Sequence, residues 1–171
     1  MNENVLTDVR EKSPIAVPGA FQTIFWGWLA VGILDGLSAI ITSLVLGGSP
    51  IRMFKAIASS LLGRETAMAG GAETVLLGVV LHFCVAFGVV VVLYLIVRRM
   101  PVLLRYTYIV GPIYGIAVYF MMNYVVLPLT LIQQAPFDLT SMIRGIIIHI
   151  LLVGLPPMLI ASYLSRKEQA G

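Results

Sequence analysis

The chain has 171 residues, of which 59% are hydrophobic and only 11% are charged. Soluble domains carry about 25% charged residues, so this composition excludes an ordinary soluble enzyme and a disordered chain, and the single cysteine excludes a disulfide scaffold. The net charge of +3 does not indicate a nucleic-acid partner, because the basic residues lie at the ends of apolar runs, as in an integral protein of the lipid bilayer.

Four long apolar stretches predict transmembrane helices at about residues 23–46, 75–97, 106–129 and 145–164. Each has about 20 residues or more, which at 1.5 Å per residue crosses roughly 30 Å of hydrocarbon. Their hydrophobicity is continuous, without the stripe of a soluble helix or the alternation of a barrel strand. We therefore predict an all-α membrane protein, with a four-helix transmembrane domain over residues 23–165 between tails at 1–22 and 166–171.

The first outer loop contains a further predicted helix, at about residues 50–62. Ser49 and Pro50 are typical of a helix start, and Gly63 is typical of a helix end. Its apolar residues share one side, while Arg52 and Lys55 lean to the other. This pattern predicts a short interfacial helix lying flat on the outer leaflet. A lid over a cavity is the alternative.

Lysine and arginine residues predict the orientation. Seven of them lie in the two tails and the second loop, and four lie on the opposite side. The positive-inside rule then places both termini in the cytoplasm. Asp8 and Glu11 interrupt the basic region that a cleavable signal needs, so we expect a flexible tail and an uncleaved first helix. The aromatic residues predicted at the cytoplasmic interface are Trp26, Trp28, Tyr106, Tyr108 and Tyr163.

The two halves of the sequence resemble each other. Residues 31–36 in the first helix correspond to 110–115 in the third, and 78–82 in the second correspond to 145–149 in the fourth. The predicted repeat is a helical hairpin, present twice in parallel orientation, with sites expected at the repeat interface. His82 and His149 would then be equivalent residues.

Four polar residues are predicted to form an intramembrane layer in the outer half of the bundle: Asp35, His82, Asn123 and His149. An ionisable group in hydrocarbon costs roughly 2.5–3.5 kcal/mol or more, so such groups normally face the bundle interior or a wet cavity. Small residues at four-residue spacing allow helices to approach closely. The glycines predicted to pack helices in this way are Gly32, Gly36, Gly78, Gly111, Gly115 and Gly145.

Several roles for the layer remain open. The histidines are interpreted as neutral structural imidazoles, as proton-handling groups beside Asp35, or as ligands of a metal or b-type haem. Glycines four residues before each histidine would leave room for a porphyrin, but helix packing explains them equally well. No other cofactor is predicted. Pro156 and Pro157 should bend the fourth helix, either as a fixed kink or as a gating hinge.

The region at about residues 75–165 resembles the uncharacterised YagU-like proteins of the bacterial inner membrane. The resemblance lies in His82, in Leu127-Pro128-Leu129, in Phe137-Asp138-Leu139 and in His149. The run at 57–63 with Gly70-Gly71 also looks like a recurring signature of small bacterial membrane proteins. The resemblance implies a multi-pass protein of the bacterial cytoplasmic membrane and supplies no activity.

The sequence contains no Walker loop, HExxH, CxxC or GxSxG motif, so we predict no catalytic residues. The leading hypothesis is a small transport or permeation-type protein that works as a homo-oligomer, because four helices enclose little volume. An accessory subunit of a larger membrane complex and a redox protein with a bis-histidine haem are the alternatives.

Overall fold

The structure, a computed structural model, describes residues 15–132 and 136–170, and each regular element in these ranges is helical. The predicted first tail falls mainly on residues 1–14, outside the described ranges. The elements in chain order are α1 (Ala20–Val45), α2 (Pro50–Leu62), α3 (Arg64–Ala69), α4 (Ala72–Arg99), a 3₁₀ segment (Pro101–Tyr106), α5 (Thr107–Met121), a π-helical turn (Met122–Val126), a 3₁₀ turn (Leu127–Leu129), α6 (Leu139–Ile148), a second π-helical turn (His149–Gly154) and α7 (Leu155–Ala170).

Within the residues that the structure describes, four helical spans are long and apolar enough to cross a membrane, which agrees with the predicted number. They are span 1 (Ala20–Val45), span 2 (Ala72–Arg99), span 3 (Pro101–Leu129) and span 4 (Leu139–Ala170). All four begin several residues before the predicted bounds, and spans 2 and 4 also end after them. Hydropathy marks only the apolar part of a helix, whereas the backbone hydrogen bonds continue into the polar residues on either side.

The two ends of the bundle carry different connections, and we name them the terminal end and the loop end. The terminal end carries the start of span 1, the end of span 4 and the connection between spans 2 and 3; the loop end carries α2 and α3. Span 1 packs against spans 2 and 4, and span 4 packs against span 3. Spans 2 and 3 meet where the buried Tyr114 hydroxyl donates a hydrogen bond to the Val89 carbonyl at 2.5 Å.

The terminal half of the bundle has a closely packed apolar core. Val90, Leu93, Val97 and Met158 are each at most 2% exposed. Large apolar residues also cover the outer surface of the bundle. In each span, only 17% to 33% of an 18-residue apolar stretch is buried within the chain. So much exposed apolar surface requires an apolar surrounding, which the hydrocarbon of a bilayer provides.

Glycines allow spans 3 and 4 to cross at backbone contact. A Cβ atom built on Gly115 would lie 2.8 Å from the Ile150 Cα, and one on Gly154 would lie 2.7 Å from the Gly115 nitrogen. A Cβ on Gly111 would lie 3.1 Å from the Leu155 Cα. Only hydrogen atoms fit between these backbones, so larger residues would push the two spans apart.

Helix α2 has the predicted bounds, beginning at Pro50 and ending before Gly63, whose φ of 74° favours glycine. Ser49 precedes the proline but makes no side-chain cap. In span 4, the two prolines predicted to bend the helix directly follow the π-helical turn, with Pro157 buried. Each proline removes a backbone donor at this point.

Candidate functional site

A cavity of about 220 Å³ lies among the four spans in the loop-end half of the bundle, and we call it the central cavity. Its wall is mainly apolar, with side chains from spans 1, 2, 3 and 4. The polar residues in the wall are Asp35, Ser60, His82, Thr130 and His149. An apolar cavity with a few convergent polar groups is the usual form of a small-molecule site. Three of the four residues of the predicted polar layer therefore line one space.

His82 connects span 2 to span 1. Its Nε2 donates a hydrogen bond to the Gly32 carbonyl at 2.9 Å, since a carbonyl oxygen can only accept. Gly36 makes room for the ring, because a Cβ there would lie 3.1 Å from the same Nε2. The ring also meets Phe83 edge to face, with centroids 5.4 Å apart. This bond leaves Nδ1 as the nitrogen that can accept a proton.

His149 is held within its own span. Its Nδ1 donates to the Gly145 carbonyl four residues earlier, at 2.9 Å, and its ring meets Tyr119 edge to face at 5.3 Å. The accepting nitrogen is then Nε2. The two histidines thus use opposite ring nitrogens: one joins two spans, and the other is braced by the helix that carries it.

Asp35 is half-buried and lines two spaces at once. On one side is the central cavity; on the other is a second cavity of about 440 Å³ between α1 and α6, which we call the side cavity. His149 also lines both. Polar residues continue from Asp35 along the side cavity towards the loop end: Ser38, Thr42, Ser43, Ser141 and Arg144. Asp35 and His149 therefore lie where this polar surface meets the central cavity.

Asn123 lies apart from the rest of the predicted layer. Its amide donates to the Tyr119 carbonyl at 2.9 Å, and its side chain lines a third cavity, of about 520 Å³, with Asp138. The adjacent Met122 lines the central cavity instead. Neighbouring residues point about 100° apart around a helix, so a position in the sequence close to a site does not bring a side chain into it.

Two polar residues of the central cavity were not predicted, Ser60 of α2 and Thr130 after span 3. The Leu131 N–H donates to the Ser60 carbonyl at 3.1 Å, which ties the end of α2 to the segment that follows span 3. Both segments cover the cavity at the loop end. The sequence signal for this arrangement was the amphipathic pattern of α2, for which a lid over a cavity was the alternative prediction.

Trp28 was predicted at the membrane interface, but its ring packs between spans. The indole N–H donates to the Phe83 carbonyl of span 2 at 2.8 Å, and the ring meets Phe83 edge to face. Trp28 is four residues before Gly32 and so shares the α1 face that packs on span 2. The other aromatics of the predicted interface are exposed: Trp26, Tyr106, Tyr108 and Tyr163.

The spaces beside Gly78 and Gly145, which precede the two histidines by four residues, are occupied by neighbouring groups. A Cβ on Gly78 would lie 2.7 Å from the Phe54 carbonyl carbon of α2, and one on Gly145 would lie 2.5 Å from the Tyr119 ring. No group of three histidine, cysteine or carboxylate residues suited to a metal ion occurs within residues 15–132 and 136–170.

No match to this chain is found among protein-family models, curated proteins or solved structures.

Proposed function

We propose that this protein is a small transport-type protein of the bacterial cytoplasmic membrane, with both termini in the cytoplasm, that moves protons or a proton-coupled solute. The observation that carries the proposal is the shared position of Asp35 and His149 between the central and side cavities. Ionisable groups at membrane depth are costly, and where they occur they mark ion and proton paths. The distribution of lysine and arginine supports the orientation.

The chemistry of the cavity suits proton exchange. Histidine changes charge near physiological pH, and each imidazole here keeps one nitrogen that can accept a proton. Asp35 supplies a carboxylate on the same cavity wall. In this scheme a proton enters along the hydroxyl-rich side cavity and is shared between Asp35 and His149.

The apolar core of Val90, Leu93, Val97 and Met158 lies between the cavity and the terminal end. Movement through the protein therefore requires either a rearrangement of the spans or a path between several chains. We propose a homo-oligomer, with the π-helical turn and prolines of span 4 as the hinge. The parallel hairpin repeat is part of this proposal, because Gly36 packs on His82 and Gly115 packs on the backbone of His149.

The proposal is tested with purified protein in lipid vesicles containing a pH-sensitive dye, after an external acid pulse. We expect proton entry above that of empty vesicles, reduced about tenfold in Asp35→Asn, which corresponds to roughly 1.4 kcal/mol in the barrier. Asn123→Ala is the matched control, because it changes a polar residue of span 3 outside the central cavity. Equal rates for wild type and Asp35→Asn, or wild-type rates equal to those of empty vesicles, would contradict the proposal.

An accessory-subunit role is the second candidate, favoured by the apolar surface left exposed by a single chain. Phe21 and Leu129 are 80% and 83% exposed, as expected of residues that face lipid or another subunit. In that case, deletion of the protein would lower the abundance of a specific membrane complex. Unchanged abundance of all membrane complexes would contradict this role.

The haem alternative does not fit the residues present. The Nε2 of His82 is hydrogen-bonded to Gly32, and the space beside Gly78 and Gly145 is filled by Phe54 and the Tyr119 ring. The central cavity, at about 220 Å³, is also smaller than the roughly 300–1,000 Å³ pockets that hold drug-sized ligands, and a haem is as large as such ligands or larger. We expect the purified protein to show no haem absorbance.

A further inference from the structure

A separate groove of about 730 Å³ runs along the outside of the bundle between α1 and α7, from the terminal end towards the middle of span 1. We call it the α1–α7 groove. On α1 it is lined by residues that include a series four apart on one face, and on α7 by residues between Ile160 and Lys167. The residues that line it include Gln22, Trp26, Ala30 and Leu34 of α1 and Tyr163 and Lys167 of α7.

Close packing behind the groove explains its shape. Gly27 lies where α1 contacts both of its neighbours, since a Cβ there would lie 2.8 Å from the Val90 Cγ1 of span 2 and 3.4 Å from the Pro157 Cβ of α7. Nearer the terminal end, the Gly19 N–H donates to the Glu168 carboxylate at 2.8 Å. Ala30 has a small side chain between the larger Trp26 and Leu34, and all three line the groove.

The groove has the length of one leaflet. Twelve residues separate Gln22 from Leu34, a rise of about 18 Å, and half the hydrocarbon thickness is about 15 Å. Polar Gln22 and Lys167 lie at the terminal end, aromatic Trp26 and Tyr163 come next, and apolar Leu34 lies deepest. Headgroup, interface and acyl chain follow the same order in a lipid.

The charge at the terminal end of the groove is positive. Lys167 lines the groove, and the adjacent Arg166 lines a neighbouring pocket together with Arg105. The one carboxylate next to them in sequence, Glu168, accepts the hydrogen bond from Gly19. Basic residues at the membrane surface attract anionic lipids.

We propose that the α1–α7 groove binds one anionic phospholipid, with an acyl chain beside Ala30 and Leu34 and the phosphate at Lys167. The site is distinct from the central cavity, which lies inside the bundle and shares no lining residue with the groove. One basic side chain, Lys167, binds the headgroup, and the part of span 1 that lines the groove packs against the acyl chain.

Native mass spectrometry tests this proposal, using the full chain reconstituted in vesicles of equal parts phosphatidylglycerol and phosphatidylethanolamine. We expect one retained lipid, preferentially phosphatidylglycerol. Lys167→Gln should reduce that preference about fivefold, and Arg64→Gln, which removes the same charge at the loop end, should leave it unchanged. Ala30→Phe fills the groove and should reduce lipid retention about tenfold, whereas Ala117→Phe, on an exposed face of α5, should not.

Three results would overturn the proposal. The first is a wild-type protein that retains no lipid or retains both lipids equally. The second is equal retention by Ala30→Phe and Ala117→Phe, with both variants showing the wild-type circular dichroism spectrum. The third is a lipid-free dimer that Ala30→Phe dissociates, since the occupant of the groove would then be a second copy of the chain.

Discussion

Replacing Gly154 with alanine perturbs the contact between spans 3 and 4 at its closest point. The new Cβ would meet the Gly111 carbonyl oxygen and lie 2.7 Å from the Gly115 nitrogen. Both neighbours are backbone atoms in a helix, so neither can rotate away as a flexible side chain would. The two spans must separate by about 1 Å before these contacts reach ordinary van der Waals distances.

The expected cost follows from that separation. Overpacking a closely fitted site costs about 1–3 kcal/mol, because neighbouring groups lose contacts when the backbone shifts. At an open helical position the same substitution stabilises the helix by about 0.5–1 kcal/mol. Gly88 in span 2 is such a position, since nothing lies within 4 Å of a Cβ built there. The two alanine variants should therefore differ in free energy of unfolding by about 1.5–4 kcal/mol.

Unfolding by sodium dodecyl sulfate in mixed micelles, followed by circular dichroism, measures this difference. Gly154→Ala should unfold at lower detergent fraction than wild type, and Gly88→Ala at an equal or higher one. Equal midpoints for the two variants would show that the spans do not cross at backbone contact, and the reasoning from glycine positions would be refuted.

Two further predictions concern hydrogen bonds, one between spans 2 and 3 and the other at the start of α6. Tyr114→Phe removes the bond to the Val89 carbonyl and should lower the free energy of unfolding by about 1 kcal/mol in the same assay, whereas Tyr108→Phe, on an exposed side chain, should have no effect. Hydrogen bonds from Ser141 lower the pKa of Asp138, which caps α6. The cap should be complete above the ordinary carboxyl pKa and lost as the pH falls through the lower folded-state value. The first-turn amides of α6 should therefore lose protection, measured relative to their intrinsic exchange rates at each pH, only in acid; equally low protection at neutral pH would contradict this.

The sequence determined the four spans because crossing a bilayer is a local requirement. About 20 consecutive apolar residues and internally bonded backbone are sufficient, and both are properties of a continuous segment. The bounds of α2 are local in the same way, since proline restricts the first turn and Gly63 adopts the positive φ that ends the helix. Hydropathy left the helix ends inaccurate because it does not register hydrogen bonds that continue beyond the apolar residues.

The tertiary structure decided which polar groups share a space. Depth along a helix can be counted from the sequence, but the direction in which a side chain points depends on how the helices are rotated against each other. For this reason Asp35 and His149 line one cavity while Asn123 lines another. The same rotation places the Trp28 indole against span 2. These arrangements depend on contacts between distant segments, and a single sequence records each segment without its neighbours.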